Sequence, residues 1–328
     1  MKPLTFSILR LLSDSKFRSG ETIAKDLGIS RSSVSYALRE LDETGVTVQK
    51  VHGRGYRLCE PVQWLNRDAI MMHLGREAQG FNLEIFDIVE STNSLLFQKI
   101  PGLAFQNNPA HVIAAELQTR GRGRRGRQWH SGLGNALTFS LLWQFQQGAS
   151  LLSGLSLTVG VAIIRAFKSN GIEGVMLKWP NDVIFNFCKL AGILIELQGD
   201  MLGPTTAVIG VGVNLDLPRN VKARIDQAAT GVSSINGVMP DRNKLLAALL
   251  VEIADALKEF ERHGFSAFRE EWTNYHVFEK KHVTLRLPDG TDLKGLADGV
   301  ADNGSLLLRT AEGMRGYSSG EISLRPNT

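Results

Sequence analysis

The stretch HVIAAELQTRGRGRRGRQWHSGLGNALTFSLLW, residues 111–143, decides how the middle of the chain is read. Its ends, HVIAAEL (111–117) and ALTFSLLW (136–143), are short apolar runs and read as two buried strands. Between them RGRGRRGR (120–127) holds five arginines and no acid. Guanidiniums crowded this way repel one another unless an anion sits among them, and they grip phosphate and carboxylate bidentately. Gly121, Gly123 and Gly126 let the backbone come close to a ligand. The loop therefore suits a polyphosphate together with an acid, and Trp129 can cover a base. An arginine–glycine run also suits RNA or open solvent. A single short copy between two strands of a packed domain favours a site loop.

Outward from this loop lie further strand-like runs, LEIFDIV (83–89), LAGILIEL (190–197) and TAVIGVGVNL (206–215), and helical runs at 91–100, 151–169 and 241–262. Strands and helices do not alternate strictly, which predicts an α+β domain with a mostly antiparallel or mixed sheet. Lys178-Trp179-Pro180-Asn181-Asp182 falls between the strand-like MLK and VIF. Lys178 can contact phosphate, while Asn181 and Asp182 offer hard oxygens to Mg²⁺ or hydrogen bonds to substrate. Pro, Asn and Asp are also ordinary turn formers. Lys189 opens a strand whose Gly192 permits close approach of a ligand. Ser91 reads as a helix N-cap; with Thr92, Asn93 and the helix amides it also suits a polar ligand head. Gly210-Val211-Gly212-Val213-Asn214 has no following helix at dinucleotide-binding spacing. The chain has no GxSxG, Walker A or HExxH motif, and nothing points to a nucleophilic triad.

Residues 1–60 carry ten Lys/Arg against seven Asp/Glu. Three short helices are predicted there, the second capped by Ser19 and the third by Ser30, followed by a hairpin over VTVQKVHGRGYRL (46–58). That order describes a winged helix-turn-helix. On the third helix Val34, Leu38 and Leu41 face inward. Arg31, Ser32, Ser33, Ser35, Tyr36 and Arg39 face out, a set of short donors, one aromatic and two cations suited to a groove lined by phosphates. With Ser30 and the wing-tip Arg54 they are the expected DNA contacts; a protein-docking module is the alternative. From about residue 277, short strands punctuated by Pro288-Asp289-Gly290, Asp302-Asn303-Gly304 and Glu312-Gly313 predict a small all-β module.

At 328 residues the chain has room for two or three domains, and 43% apolar with 21% charged residues is a globular balance. No apolar run approaches the roughly 18 residues of a membrane helix. MKPLTFSILRLLSD reads as a mature helix and not as a signal peptide. Two distant cysteines, Cys59 and Cys188, exclude a disulfide framework and a cysteine zinc site, and suggest a reducing cytosol. The net charge of +4 is mild but uneven, with two basic features for two anionic partners.

STN (91–93), QTRGRGRRGRQW (118–129), KWPND (178–182), KLAGILIEL (189–197) and IGVGVN (209–214) occur in this order, after the winged helix and before a β module ending GEISLRP (320–326). This closely resembles the bacterial biotin protein ligases that double as biotin operon repressors. The resemblance covers essentially the whole chain, and the arginine loop paired with KWPND is its specific part. It implies a winged helix-turn-helix (1–62), a mixed-sheet ligase domain (63–275) and an SH3-like β barrel (276–328), in a cytoplasmic protein without membrane partners. It implies that biotin and ATP form biotinyl-5′-adenylate, which a lysine of the biotin carboxyl carrier protein of acetyl-CoA carboxylase then takes up. It further implies operator DNA as a partner and a homodimer when adenylate is bound.

By motif, Ser91, Thr92, Asn93, Gln118, Arg122, Gly123, Arg124 and Lys189 would hold biotin. Arg125, Arg127, Trp129, Lys178, Asn181 and Asp182 would serve ATP, with Asp182 nearest Mg²⁺. Lys189, Arg124 and Lys178 would be catalytic. For the base that deprotonates the acceptor lysine, Asp182, Lys189 and water all stand. Residues 218–235 contain no Phe, Tyr or Trp, which leaves Trp129 to cover adenine. A lipoate-type ligase and a biotin-sensing repressor without ligase activity are the competing readings. KWPND and the DNA module oppose the first; the intact arginine loop, Lys178 and Lys189 oppose the second.

Overall fold

The computed structural model describes residues 3–41, 46–102, 109–199, 201–287, 291–318 and 323–326. Helix α1 (Pro3–Leu11) buries Phe6, Ile8 and Leu9, with Leu12 just beyond it. Of the apolar face that the sequence offers, Leu4, Ile8, Leu11 and Leu12, Ile8 and Leu12 are buried and Leu4 and Leu11 half-buried. Helix α2 (Gly20–Leu27) begins where the Ser19 hydroxyl accepts from Thr22 N and ends at Gly28, whose φ of 65° turns the chain. Helix α3 (Arg31–Ala37) is capped by Ser30, which accepts from Ser33 N, and tightens into a 3₁₀ turn over Leu38–Leu41. The wing is β1 (Val48–Val51) against β2 (Gly55–Leu58). Tyr56 exchanges two backbone hydrogen bonds of 2.9 Å with Arg18. A Cβ on Gly55 would sit 2.1 Å from the Arg18 carbonyl, so the wing lies this close only because the residue is glycine.

The core of this module is not self-contained. Leu117 and Leu133 from further along the chain are buried in it, and Ile88 and Trp64 pack against it. The connecting segment is held from both sides. Arg242 and Glu116, fully buried, pair at 2.9 Å. Arg242 also donates to the Gln63 carbonyl, and Glu116 accepts from Leu65 N at 2.6 Å. Each buried charge therefore has a charged partner and a backbone partner, which such burial requires.

The central part runs α4 (Arg67–Leu74), β3 (Phe81–Val89), α5 (Thr92–Lys99), β4 (Ala110–Gln118), β5 (Gly121–Arg122), β6 (Gln128–Trp129), β7 (Ala136–Phe145), α6 (Leu155–Ser169), β8 (Met176–Lys178), β9 (Asp182–Phe185), β10 (Cys188–Gly199), β11 (Thr205–Asn214), α7 (Arg219–Lys222), α8 (Ser233–Asn236), α9 (Arg242–His263) and α10 (Arg269–Tyr275). The strands predicted from apolar runs are all present; α4 and α10 carry no comparable signal. Seven strands form one mixed sheet in the order β3-β4-β7-β11-β10-β9-β8, with β3 and β4 parallel and the other pairs antiparallel. Alternation sorts its two faces. Val112, Leu141 and Ile209 join the core with residues of α6 and α9, while Ile113, Leu142 and Val208 meet Leu96 of α5.

Strands β12 (His282–Arg286), β13 (Asp292–Val300), β14 (Leu306–Thr310), β15 (Gly313–Tyr317) and β16 (Ser323–Pro326) form an antiparallel sheet in the order β15-β14-β13-β12-β16. Its Val283, Leu285, Ala297 and Leu306 belong to the central core cluster, so the small β module is seated on the central domain. The turn expected at Pro288-Asp289-Gly290 lies outside the described residues.

Candidate active site

A cleft of about 310 Å³ opens on the α5 face of the large sheet. Every residue expected from the motifs to serve biotin or ATP lines it: Ser91, Thr92, Asn93, Gln118, Arg122, Gly123, Arg124, Arg125, Arg127, Trp129, Lys178, Asn181, Asp182 and Lys189. They come from four separate stretches of chain.

The STN end is already internally bonded. Ser91 caps α5 by accepting from Ser94 N, and the Gln118 side-chain oxygen accepts from Thr92 N at 2.8 Å. Asn93 donates to Glu196 at 2.9 Å, and its own oxygen accepts from the Ser140 hydroxyl at 2.5 Å. A Cβ on Gly210 would fall 2.2 Å from that oxygen. Gly210 therefore makes room for a protein side chain. The same is true of Gly212 and Gly192. A Cβ on Gly212 would lie 2.5 Å from the Trp129 indole, and one on Gly192 would lie 3.0 Å from Lys189 Cε. Gly192, expected to let a ligand approach, seats Lys189 instead, and Gly210 and Gly212 seat Asn93 and Trp129 on the sheet.

The arginine loop is shaped by a two-residue hairpin, β5 against β6, and by Gly123 N donating to the Arg127 carbonyl. Its side chains reach across the cleft. Arg122 meets Glu196 at 2.6 Å and Arg124 donates to Asn181 Oδ1 at 3.0 Å. Burial first, and then the neighbouring Arg125 charge, hold the Arg124 pKa below the usual guanidinium value, with Asp182 opposing. A desolvated cation beside like charges is a prepared seat for an anion. Trp129 has its indole nitrogen buried, with no hydrogen-bond partner among the described residues, and Lys189 Nζ 5.8 Å from its ring centroid.

The KWPND turn contains a cis Trp179–Pro180 bond. Asn181 donates to the Ile193 carbonyl at 2.8 Å, and Asp182 lies 2.7 Å from Lys189 Nζ. Lys189 is reached by a bulge. The β9–β10 register shifts between Lys189 and Ala191, which turns Lys189 to the same face as Gly192. Its backbone pairs with the chain after α7, accepting from Thr230 N and donating to the Ala228 carbonyl. That pairing brings Arg224, Ile225, Asp226 and Gln227 to the cleft wall.

For Mg²⁺, the carboxylates lining the cleft are Asp182 and Asp226. Among the described residues no group of three or more His, Cys, Asp or Glu gathers as a metal cage. The donor set fits a hard cation delivered on phosphate oxygens, not one the protein holds alone.

Sequence reasoning missed Ser140, Glu196 and His130. Thr138 and Ser140 were visible as polar residues at alternate positions of an apolar strand, the signature of a buried polar face. Nothing local marked Glu196. His130 also lines the cleft, its pKa held below the usual imidazole value by burial first and by Arg224.

In the N-terminal module Arg31, Ser32, Tyr36, Arg39 and Arg54 are exposed, and Ser33 and Ser35 are partly so. The Ser30 hydroxyl is engaged in capping α3. Arg54 and Arg57 stack over Phe17 at 4.3 and 4.8 Å, which stiffens the wing.

Comparison with known proteins agrees along the chain. The Biotin/lipoate A/B protein ligase family matches residues 85–214, an HTH domain matches 5–57 and the Biotin protein ligase C terminal domain matches 281–325. The Bifunctional ligase/repressor BirA of Salmonella typhimurium is 35% identical over 98% of this chain and 97% of its own length. A Biotin--[acetyl-CoA-carboxylase] ligase of Paracoccus denitrificans is 31% identical over 71% of this chain and 96% of its own. A solved biotin protein ligase from Aquifex aeolicus, in complex with biotin and ATP, superposes with a TM-score of 0.64 at 31% identity, covering 75% of this chain and 99% of that one.

Proposed function

We infer the chemistry from one premise: this chain belongs to the family of bifunctional biotin ligase/repressors. It is an ATP-dependent biotin–protein ligase and a DNA-binding repressor. We divide it as a DNA module over 1–62, a ligase domain over 63–275 and a C-terminal β module over 276–328.

In the first step a biotin carboxylate oxygen attacks the α-phosphorus of ATP. The new oxygen–phosphorus bond forms as the bond to the bridging oxygen breaks, and pyrophosphate leaves. In the second, a lysine amine attacks the acyl carbon, AMP leaves and the amine gives up its proton. We assign the ureido end of biotin to Ser91, Thr92 and Gln118, with Asn93 held in place by Glu196 and Ser140. Arg122, Gly123 and Arg124 enclose the acyl phosphate. Lys189 faces the carboxylate, and Lys178, Arg125, Arg127 and Asn181 face the phosphates. Two anions must meet, so fixed positive charge and positioning supply the catalysis without a covalent enzyme intermediate. Mg²⁺ arriving with ATP adds charge neutralisation, and Asp182 is the residue that would hold it. Trp129 walls the cleft beside Lys189.

One observation carries this reading: the arginine loop, the KWPND residues and Lys189 line a single cleft. The Paracoccus denitrificans relative has acetyl-CoA carboxylase in its name, which supports the carrier domain of that enzyme as acceptor. For repression, the adenylate-bound chain dimerises and presents two winged helices to paired half-sites.

Purified protein is given labelled biotin, MgATP and a biotin carboxyl carrier domain, with lipoate as competitor. Labelling of one carrier lysine with pyrophosphate release is expected. No transfer, or preference for lipoate, overturns the ligase assignment. Operator affinity at fixed salt should rise with biotin and ATP; an unchanged affinity overturns adenylate as corepressor.

A further inference from the structure

We propose that Gly304 is a positioning residue for adenylate formation: its backbone carbonyl, presented by the C-terminal β module, fixes Trp179 and with it the Lys178–Asp182 turn. The inference rests on the reading of that turn as the nucleotide-handling part of the cleft. Trp179 is 1% exposed, and its indole N–H donates to the Gly304 carbonyl at 3.0 Å, across 125 residues of chain. An indole nitrogen can only donate, and a buried donor without an acceptor is costly, so Trp179 has a strong reason to stay where that carbonyl is.

The carbonyl is itself rigidly placed. Gly304 has a φ of +74°, and a Cβ there would lie 2.7 Å from Gly154 Cα and 3.1 Å from Gly154 N. The turn thus rests backbone on backbone against the start of α6, a contact open only to glycine. Gly304 N donates to the Ala301 carbonyl at 2.8 Å, Ser305 N to Asn303 Oδ1 at 3.0 Å, and Arg269 pairs with Asp302 at 2.9 Å.

A second tether lies just before the turn, where Val277 N donates to the Leu177 carbonyl at 2.9 Å. The segment 177–179 is thereby gripped at two points by chain that leads into and belongs to the β module. Ser156 of α6 adds a third hold on the next residue, donating to the Pro180 carbonyl at 3.2 Å. Lys178, Asn181 and Asp182 leave the backbone within this gripped segment or next to it. The residues assigned to the ureido end of biotin hang instead on α5 and β4. Loosening Trp179 should therefore harm the nucleotide step and spare biotin binding, because a displacement of about 1 Å in a positioned group can cost about a hundredfold in rate.

The test uses the full-length chain. Trp179→Phe keeps the buried ring but removes the N–H. We expect kcat/KM for ATP in adenylate formation to fall about tenfold or more, while the dissociation constant for biotin stays within about twofold. Gly304→Ala, approached from the other partner, should give the same split, and the double variant should be no worse than the worse single one. Unchanged ATP kinetics in folded Trp179→Phe, or an equal loss of biotin affinity, overturns the proposal. If that variant does not fold, Gly304→Ala is judged by the same split. Failure of both to fold also counts against it, since that marks a contact needed for stability and not for positioning. Wild-type protein that makes no adenylate would remove the function assigned above; wild type that makes it, beside an unaffected variant, removes this inference alone.

Discussion

Lys189 Nζ stands 2.7 Å from the Asp182 carboxylate, and both side chains are less than a fifth exposed. The pair joins the first residue of β9 to the second of β10, and in the proposed reaction its cation faces the biotin carboxylate and the α-phosphate. Lys189→Ala is expected to slow adenylate formation by about a hundred- to a thousandfold, the cost of removing one preorganised charge partner from a developing anion. Pyrophosphate release measures it, with a thermal melt as control. Turnover close to wild type would remove Lys189 from the chemistry.

Arg124 reaches Asn181 across the cleft and is the loop arginine partly desolvated beside its neighbours. Arg124→Gly removes one charged hydrogen-bond partner, worth about 1.5–3 kcal/mol, and adds backbone freedom. The adenylate should still form but leave about ten- to a hundredfold faster. Its half-life on the enzyme and the labelling of a bystander protein report this. An unchanged half-life without stray labelling shows that Arg124 is not the latch.

Arg39 is exposed in the 3₁₀ turn that follows the third helix, in a module whose outward residues are not among those lining the cleft. Arg39→Ala should weaken operator binding and reduce the salt slope by about one, while carrier biotinylation stays at the wild-type rate. Gel-shift titrations at several salt concentrations beside a ligation assay separate the two. Equal operator affinity would place the DNA contacts elsewhere.

His276 carries the pH prediction. Its side chain is fully buried against Trp272, with ring centroids 4.6 Å apart and Nδ1 3.6 Å from Glu279, and among the described residues neither ring nitrogen has a hydrogen-bond partner. Burial holds its pKa below the usual imidazole value, against the pull of Glu279. The folded state therefore keeps it neutral while the unfolded chain takes up a proton near about pH 6.5. Its contribution is fully present above that pH and is lost as pH falls below it, by at most about 1.4 kcal/mol per pH unit. Melting temperature should drop between pH 7.5 and 5.5 in the wild type and drop less in His276→Phe, which keeps the stacked ring. Parallel pH profiles would contradict this.

The sequence by itself determined which chemistry the chain could carry and most of its elements. Ser19 and Ser30 announced two helices because a hydroxyl before a helix satisfies an orphan amide, and both do so here. The apolar runs announced the sheet because a short continuous apolar stretch, buried on both faces, is local information. The tertiary structure alone decided how those residues meet. Alternation along β10 puts Lys189 and Gly192 on opposite faces; the bulge before Ala191 reverses this, and a bulge is a property of strand pairing. Gly192 reads locally as room for a ligand, yet Lys189 and the distant Trp129 fill the space above it, as Asn93 and Trp129 do above Gly210 and Gly212. Glu196 acquires its role only when Asn93 and Arg122, 103 and 74 residues away, are folded onto it. Such contacts depend on the packing of distant segments, and no window of sequence contains both partners.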